Sequence, residues 1–166
     1  DFVEAALAAG AAAAMVQQSF ADAHTGLAPL LAVPDVAQAL IDLAMGYRGS
    51  LDATFIGITG SVGKTTVKEL LADMLAETAP TARTLGNWNN ELGLPLSLLS
   101  MNEDSRYGVF ELGMNAPGEI AALSRILRPD HAIITPIGPA HMEEFKTLWD
   151  VAEEKADLAR HVPASG

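Results

Sequence analysis

From residue 54 onward the apolar positions fall into a repeating order. Residues 54–58 are a short, nearly continuous run with Phe55, Ile56 and Ile58, which predicts a buried strand. A glycine-rich turn follows. Val67, Leu70, Leu71, Met74 and Leu75 then recur at helical spacing and predict a helix over 65–77. The same alternation continues, with strands expected at 83–85, 109–112 and 131–135 and helices at 91–99, 119–127 and 148–160. Thr147, with Asp150 three residues on, has the form of a capping box at the head of the last helix, although Asp is not the preferred partner. Strands that alternate with helices argue for an α/β fold, a parallel sheet covered on both faces.

The first fifty residues have a different texture. An Ala-rich, helix-like run (2–9) leads through Gly10 to a short strand expected at 11–16, a polar loop at 17–26 and another short strand at 30–33. Asp35 follows Pro34 as a helix N-cap. Val36, Leu40, Leu43 and Tyr47 recur at helical spacing, with Ala37, Ile41 and Ala44 alongside, so one amphipathic helix should end near Gly49 and Ser50. The change of texture places a boundary near residue 50, dividing the chain into 1–50 and 51–166.

Composition narrows the function. The 166 residues suffice for one domain and part of a second. Hydrophobic residues make up 49% but aromatics only 5%, so the core must be built from Ala, Leu, Val and Ile. A net charge of −11 argues against a nucleic-acid surface, which needs a basic face. It leaves a nucleotide open, since a few local donors and a metal can hold one. The absence of cysteine excludes disulfides and thiolate metal sites and fits a reducing, cytoplasmic setting. The most apolar stretch, 5–16, is too short and too rich in Ala and Gly to span a membrane. The chain opens on Asp1-Phe2-Val3, without Met or a basic leader, and is expected to start mid-sequence.

The strongest chemical signal is Gly60-Ser61-Val62-Gly63-Lys64-Thr65-Thr66, which follows an apolar strand and opens a helix. Glycines let backbone N–H groups curl around phosphate oxygens without Cβ clashes. The helix N-terminus adds partial positive charge. Lys64 can reach the β- and γ-phosphates, and the Thr65 hydroxyl can ligate Mg²⁺. The strict phosphate-loop pattern would need Gly at position 58, which is Ile58. The alternative is a strand–helix turn with no ligand.

Here the residues resemble a known family. Ile58 to Thr66 resembles the ATP loop of the Mur ligases, where the position of Ile58 is commonly apolar. Three more blocks agree with one member of that family: Gly86-Asn87-Trp88-Asn89-Asn90-Glu91-Leu92-Gly93-Leu94-Pro95-Leu96 resembles its substrate loop, Glu111 to Ile120 its metal-ligand segment, and Ile137 to Glu143 its histidine segment. The block from Asn89 to Leu96, Asn-Asn-Glu-x-Gly-x-Pro-Leu, is the most discriminating, because sister ligases carry different residues there. Val62 stands where Asn or Ser is common, at a position that acts mainly through its backbone. The resemblance implies a P-loop NTPase-like parallel sheet flanked by helices. It makes 1–50 the end of the UDP-sugar-binding first domain and 51–166 the first part of the central ATP-binding domain. It further implies a monomer that takes ATP and Mg²⁺ and joins UDP-N-acetylmuramoyl-tripeptide to D-alanyl-D-alanine through an acyl phosphate. The 166 residues alone would then be inactive.

Each implied site residue has a plainer reading beside it. Glu111 would ligate Mg²⁺ next to Thr65, or be a solvated acid at a strand end, where ligands of open α/β sheets also bind. His141 would hold a second Mg²⁺, although imidazole is an unusual ligand for this metal, or be a surface histidine. Lys155 would carry CO₂ as a carbamate and become an oxygen ligand, or be a helix-surface lysine paired with Glu154 or Asp157. Asn89 and Asn90 would contact substrate, or cap the helix that follows. His24, His131 and His161 are read as structural. Competing functions are another ligase of the same superfamily (a sister cell-wall ligase, folylpolyglutamate synthase or cyanophycin synthetase), a P-loop kinase, and a nucleotide-binding module.

Overall fold

The computed structural model describes residues 2–27, 29–140 and 143–164. The chain forms two compact units, Asp1–Asp42 and Leu43–Gly166.

In the first unit, helix α1 (Phe2–Ala8) precedes a two-stranded parallel sheet of β1 (Ala14–Gln17) and β2 (Leu30–Val33), with Ala14 opposite Leu30 and Gln17 opposite Val33. Between the strands a six-residue helix, α2 (Gln18–Ala23), replaces part of the expected polar loop. It is too short to show a helical period. It is held instead by a hydrogen bond from Gln18 Nε2 to Asp22 Oδ1 one turn on (2.8 Å) and by the Phe20 ring stacked on His24 at 4.0 Å. Helix α3 (Val36–Ser50), which contains the division between the units, begins as expected: Asp35 Oδ1 accepts the N–H of Gln38 at 3.0 Å.

The second unit is built on β3 (Thr54–Thr59), α4 (Lys64–Ala76), β4 (Thr81–Arg83), α5 (Gly93–Leu99), β5 (Tyr107–Glu111), α6 (Glu119–Leu127), β6 (His131–Ile134) and α7 (Leu148–Arg160). Its four strands are all parallel, in the order β4-β5-β3-β6. The expected α/β class and its flanked parallel sheet are therefore present. β3 lies inside the sheet, and its side chains alternate between two cores. Ile56 and Ile58 pack with Val109 and Ala72 under Val67, Leu71 and Leu75 of α4. Phe55 stacks near Phe110, ring centroids 6.2 Å apart, so two phenylalanines enter a core that is otherwise largely aliphatic. Gly57 lies on the Phe55 side and lets the other helices approach: a Cβ there would stand 2.7 Å from Leu158 Cδ1 of α7 and 3.4 Å from Leu127 Cδ2 of α6.

Some boundaries move for physical reasons. β4 occupies Thr81–Arg83 rather than 83–85, because pairing with β5 (Thr81 opposite Tyr107, Arg83 opposite Val109) sets its extent. α5 starts at Gly93 rather than at residue 91, because the Asn90 side chain takes the N–H groups of Leu92 and Gly93 (3.3 and 2.8 Å) and holds the chain in a turn. α7 carries the expected box in both directions: Thr147 Oγ1 accepts from the Asp150 N–H, and Asp150 Oδ2 accepts from the Thr147 N–H. Among the described residues no helix is long and apolar enough to cross a membrane.

Candidate nucleotide and metal site

The site gathers at the carboxyl ends of β3 and β5. β3 ends at Thr59, whose carbonyl accepts the Thr135 N–H at 2.8 Å and the Thr135 hydroxyl at 3.2 Å. The next residue must be glycine. Gly60 has φ of 146°, and a Cβ on it would lie 1.8 Å from Thr135 Oγ1. The Ser61 and Val62 N–H groups donate to Pro136 O (3.1 and 3.4 Å) and the Ser61 hydroxyl donates to Gly138 O (2.9 Å), so the loop's first half is fastened to the segment after β6. Gly63, with φ of 90°, is the N-cap of α4.

The Val67 N–H bonds back to Gly63 O at 2.9 Å. The N–H groups of Lys64, Thr65 and Thr66 before it are the open donors of a helix end, where an anion is favoured. The Lys64 ammonium arches over the loop and donates to Gly60 O at 2.9 Å. Of the seven loop residues, the first half is thus committed to the protein and the second half to the helix end.

Glu111 closes β5 and is only 3% exposed, which removes the solvated-acid reading. Its Oε2 accepts the Thr65 hydroxyl at 2.9 Å, its Oε1 accepts the Asn89 amide at 2.8 Å, and its own N–H donates to Thr84 Oγ1 at 2.8 Å. Ile58 is its partner across the sheet, so the phosphate loop and the carboxylate leave neighbouring strands. Asn89 is seated against Gly113, whose N–H donates to Asn89 O at 2.8 Å and whose missing Cβ would stand 2.8 Å from Asn89 Oδ1. Asn90 holds the turn described above, two residues ahead of the N-cap Leu92, and it also lines the cavity.

Lys155 is not a surface lysine. It is 2% exposed on the inner face of α7, while Asp157 pairs with Arg160 at 2.7 Å. Burial lowers its pKa from 10.5 to about 8; the nearby Lys64 charge pushes the same way, and Glu154 partly opposes both. A cavity of about 200 Å³ joins the two amines: Gly60, Ser61, Lys64, Asn89, Asn90 and Lys155 all line it. Gly113, Asn115 and Glu119, none of them expected from sequence as a site residue, line it too. A larger cavity, of about 440 Å³, runs along α7 by Phe145, Lys146 and Asp157, and among the described residues none of the expected site residues lines it. His141 lies outside the described residues.

The donor set suits a hard cation. Thr65 Oγ1 and the Glu111 carboxylate place oxygen atoms side by side at the open helix end. Among the described residues no group of three His, Cys, Asp or Glu gathers into an all-protein cage. Mg²⁺ commonly takes one or two protein oxygens and fills its octahedron with phosphate oxygens and water, so the pair fits it.

Comparison with known proteins agrees with this geometry. The family profile of the Mur ligase middle domain matches residues 58–166. The UDP-N-acetylmuramoyl-tripeptide–D-alanyl-D-alanine ligase of Bacillus subtilis is 40% identical over 166 residues, covering 100% of this chain and 36% of the relative. The enzyme of the same name from Treponema pallidum is 42% identical over 165 residues, covering 95% of this chain and 36% of its own. Among solved structures, the MurF ligase of Thermotoga maritima in complex with ADP superposes with a TM-score of 0.80 at 34% identity, over 98% of this chain and 37% of that one. This chain therefore spans about a third of the length of the proteins it matches. With a phosphate loop at the head of α4, Glu111 beside it and the profile running from Ile58 through the last helix, the chain belongs to the Mur ligase family.

Proposed function

We propose that this chain forms the phosphate- and metal-gripping part of an ATP-dependent ligase that joins D-alanyl-D-alanine to UDP-N-acetylmuramoyl-tripeptide. The observation that carries the reading is that Lys64 and buried Lys155 line one small cavity together with Asn89, which bonds Glu111 and through it the Thr65 hydroxyl at the open helix end. The similarity to named ligases supplies the substrates. In this reading residues 1–50 close the UDP-sugar-binding domain and residues 51–166 open the central ATP-binding domain of a cytoplasmic monomer.

The chemistry follows from the substrate. A carboxylate is a poor electrophile at neutral pH, because its oxygen is a poor leaving group. Transfer of the γ-phosphoryl group of ATP to that carboxylate gives an acyl phosphate and ADP. The amine of the dipeptide then attacks the carbonyl carbon, the C–O bond to phosphate breaks, and the amine loses a proton as the amide forms. Catalysis of phosphoryl transfer is mostly positioning and charge neutralisation. Lys64 and the Lys64, Thr65 and Thr66 amides hold the β- and γ-phosphates. Thr65 and Glu111 would hold Mg²⁺, which neutralises the phosphate charge when bound. Lys155, drawn toward its neutral form, is the amine able to add CO₂ and release a proton, becoming a carbamate that would hold a second Mg²⁺ together with His141. Asn89 and Asn90 face the incoming substrate.

The test is ADP release by the full-length enzyme carrying this segment. Release should require both UDP-N-acetylmuramoyl-tripeptide and D-alanyl-D-alanine, and Lys64→Ala should lower it by about 10²–10³-fold with the fold intact. Release that needs no amine would make the protein a kinase, and a different amino acid as the required amine would make it a sister ligase.

A further inference from the structure

The Lys68 side chain is fully buried on α4, one turn before buried Ala72. A buried ammonium is costly unless it is paired and hydrogen-bonded. Here Lys68 Nζ meets Glu69 Oε1 at 2.8 Å and donates to two backbone carbonyls, Thr84 O at 3.1 Å and Gly86 O at 3.3 Å. Those carbonyls belong to the stretch that leads from β4 to Asn89. The same stretch reaches the metal side of the site twice: Thr84 Oγ1 accepts the Glu111 N–H, and the Asn89 amide donates to Glu111 Oε1. Glu111 in turn accepts from Thr65, three residues before Lys68 on the same helix. The bonds close a ring that runs from α4 through Lys68, the 84–89 stretch and Glu111, and back to α4 at Thr65.

An apolar side chain at position 68 would fill the space without the desolvation cost. What it could not do is donate to the Thr84 and Gly86 carbonyls of a stretch that lies outside every helix and strand. We propose that Lys68 is a positioning residue that ties the 84–89 stretch to α4, so that Asn89 and Glu111 stay aligned with Thr65 for Mg²⁺-dependent nucleotide binding. The proposal rests on the reading of Thr65 and Glu111 as metal ligands.

The experiment compares ADP affinity, by titration calorimetry, with Mg²⁺ and with EDTA. Wild-type chain should bind ADP more tightly with Mg²⁺. Lys68→Met should lose about 10–100-fold of that Mg²⁺-dependent gain while ADP affinity in EDTA stays within about twofold, because Lys64 and the helix end are untouched. The losses in Lys68→Met and Asn89→Ala should also fail to add in the double variant, since both act on Glu111 through one stretch. A retained Mg²⁺ gain in Lys68→Met, or strictly additive losses, would reduce Lys68 to a structural plug and overturn the proposal. Should Lys68→Met not fold, Thr84→Val opens the same ring at the Glu111 N–H, and an undiminished Mg²⁺ gain there overturns it equally. If the wild-type chain shows no Mg²⁺ gain at all, the metal reading falls first and takes the proposal with it.

Discussion

The carboxylate of Glu154 on α7 accepts the backbone N–H of Ile120 at 2.9 Å, and with its other oxygen the N–H of Gly118 at 2.8 Å. The N-terminus of α6 is thus capped by another helix, because its own N-cap is Gly118, at φ of 91° and without a side chain. This bond pair docks α7 on α6 one residue before Lys155, and so helps to aim that amine into the cavity. Glu154→Ala should destabilise the protein by about 1–3 kcal/mol, chiefly the cost of leaving the buried Ile120 N–H unpaired. Glu154→Gln, which keeps one acceptor oxygen, should cost less. Urea unfolding checks both. A loss below about 0.5 kcal/mol for Glu154→Ala would mean that water satisfies the two N–H groups as well as the carboxylate does.

Two loop glycines should respond differently to alanine. At Gly60 the new Cβ would press on Thr135 Oγ1 at 1.8 Å and on Thr135 O at 2.9 Å, so the loop itself must shift. At Gly63 nothing lies within 4 Å, and the cost is only that of a left-handed residue, about 1–2 kcal/mol. Gly60→Ala should therefore lower both the thermal midpoint and ADP affinity more than Gly63→Ala does. Equal effects in parallel melts and titrations would mean that backbone conformation, and not the Thr135 contact, demands glycine at both places.

These contrasts mark how far the sequence could be read. The strands carrying Ile56, Ile58, Val109 and Phe110 were legible because both faces of a parallel sheet are buried and the runs are apolar throughout. β4 was placed two residues late because Thr81, Ala82 and Arg83 carry little apolar signal and owe their strand to β5. The phosphate loop was legible because its chemistry lies in consecutive residues. Thr84, Lys68 and Glu119 were not, because their roles arise from contacts such as Lys68 to Thr84 and Thr84 to Glu111 that only the folded chain brings together. Lys155 had a signal that charge obscured. Val151, Glu154, Lys155 and Leu158 follow the spacing of one helix face, and that whole face is buried, its two charged members included.

The Glu111 carboxylate accepts the Thr65 hydroxyl, and Mg²⁺ selects charged oxygen ligands. Glu111→Gln keeps the size of the side chain and removes its charge. Its amide NH₂ would also face a donor, either Thr65 or Asn89, where the carboxylate offered an acceptor to each. The variant should bind ADP in Mg²⁺ no better than the wild-type chain does in EDTA, with affinity in EDTA unchanged. Titration calorimetry under the two conditions decides. An intact Mg²⁺ gain would leave Glu111 only the task of holding Asn89 and Thr65 in place.

Lys155 makes stability depend on pH in a window set by its own chemistry. Its pKa falls from 10.5 in an open chain to about 8 in the folded protein, first through burial and then through the charge of Lys64. Below about pH 8 both states hold the proton, and the cost of burying the charge is fully present. Between about 8 and 10.5 the folded protein has released the proton while the unfolded chain keeps it. The unfolded state then binds more protons, so stability contributed by this group rises with pH and levels off above the upper limit. Lys155→Met has no such titration. The unfolding free energy of wild type minus that of Lys155→Met should therefore climb across the window, measured by urea unfolding in CO₂-free buffer. A Lys64→Met background removes the neighbouring charge, so the climb should begin at higher pH. A difference that stays flat up to pH 10.5 would show an ordinary lysine, and the neutral amine needed for reaction with CO₂ would not be on hand near neutral pH.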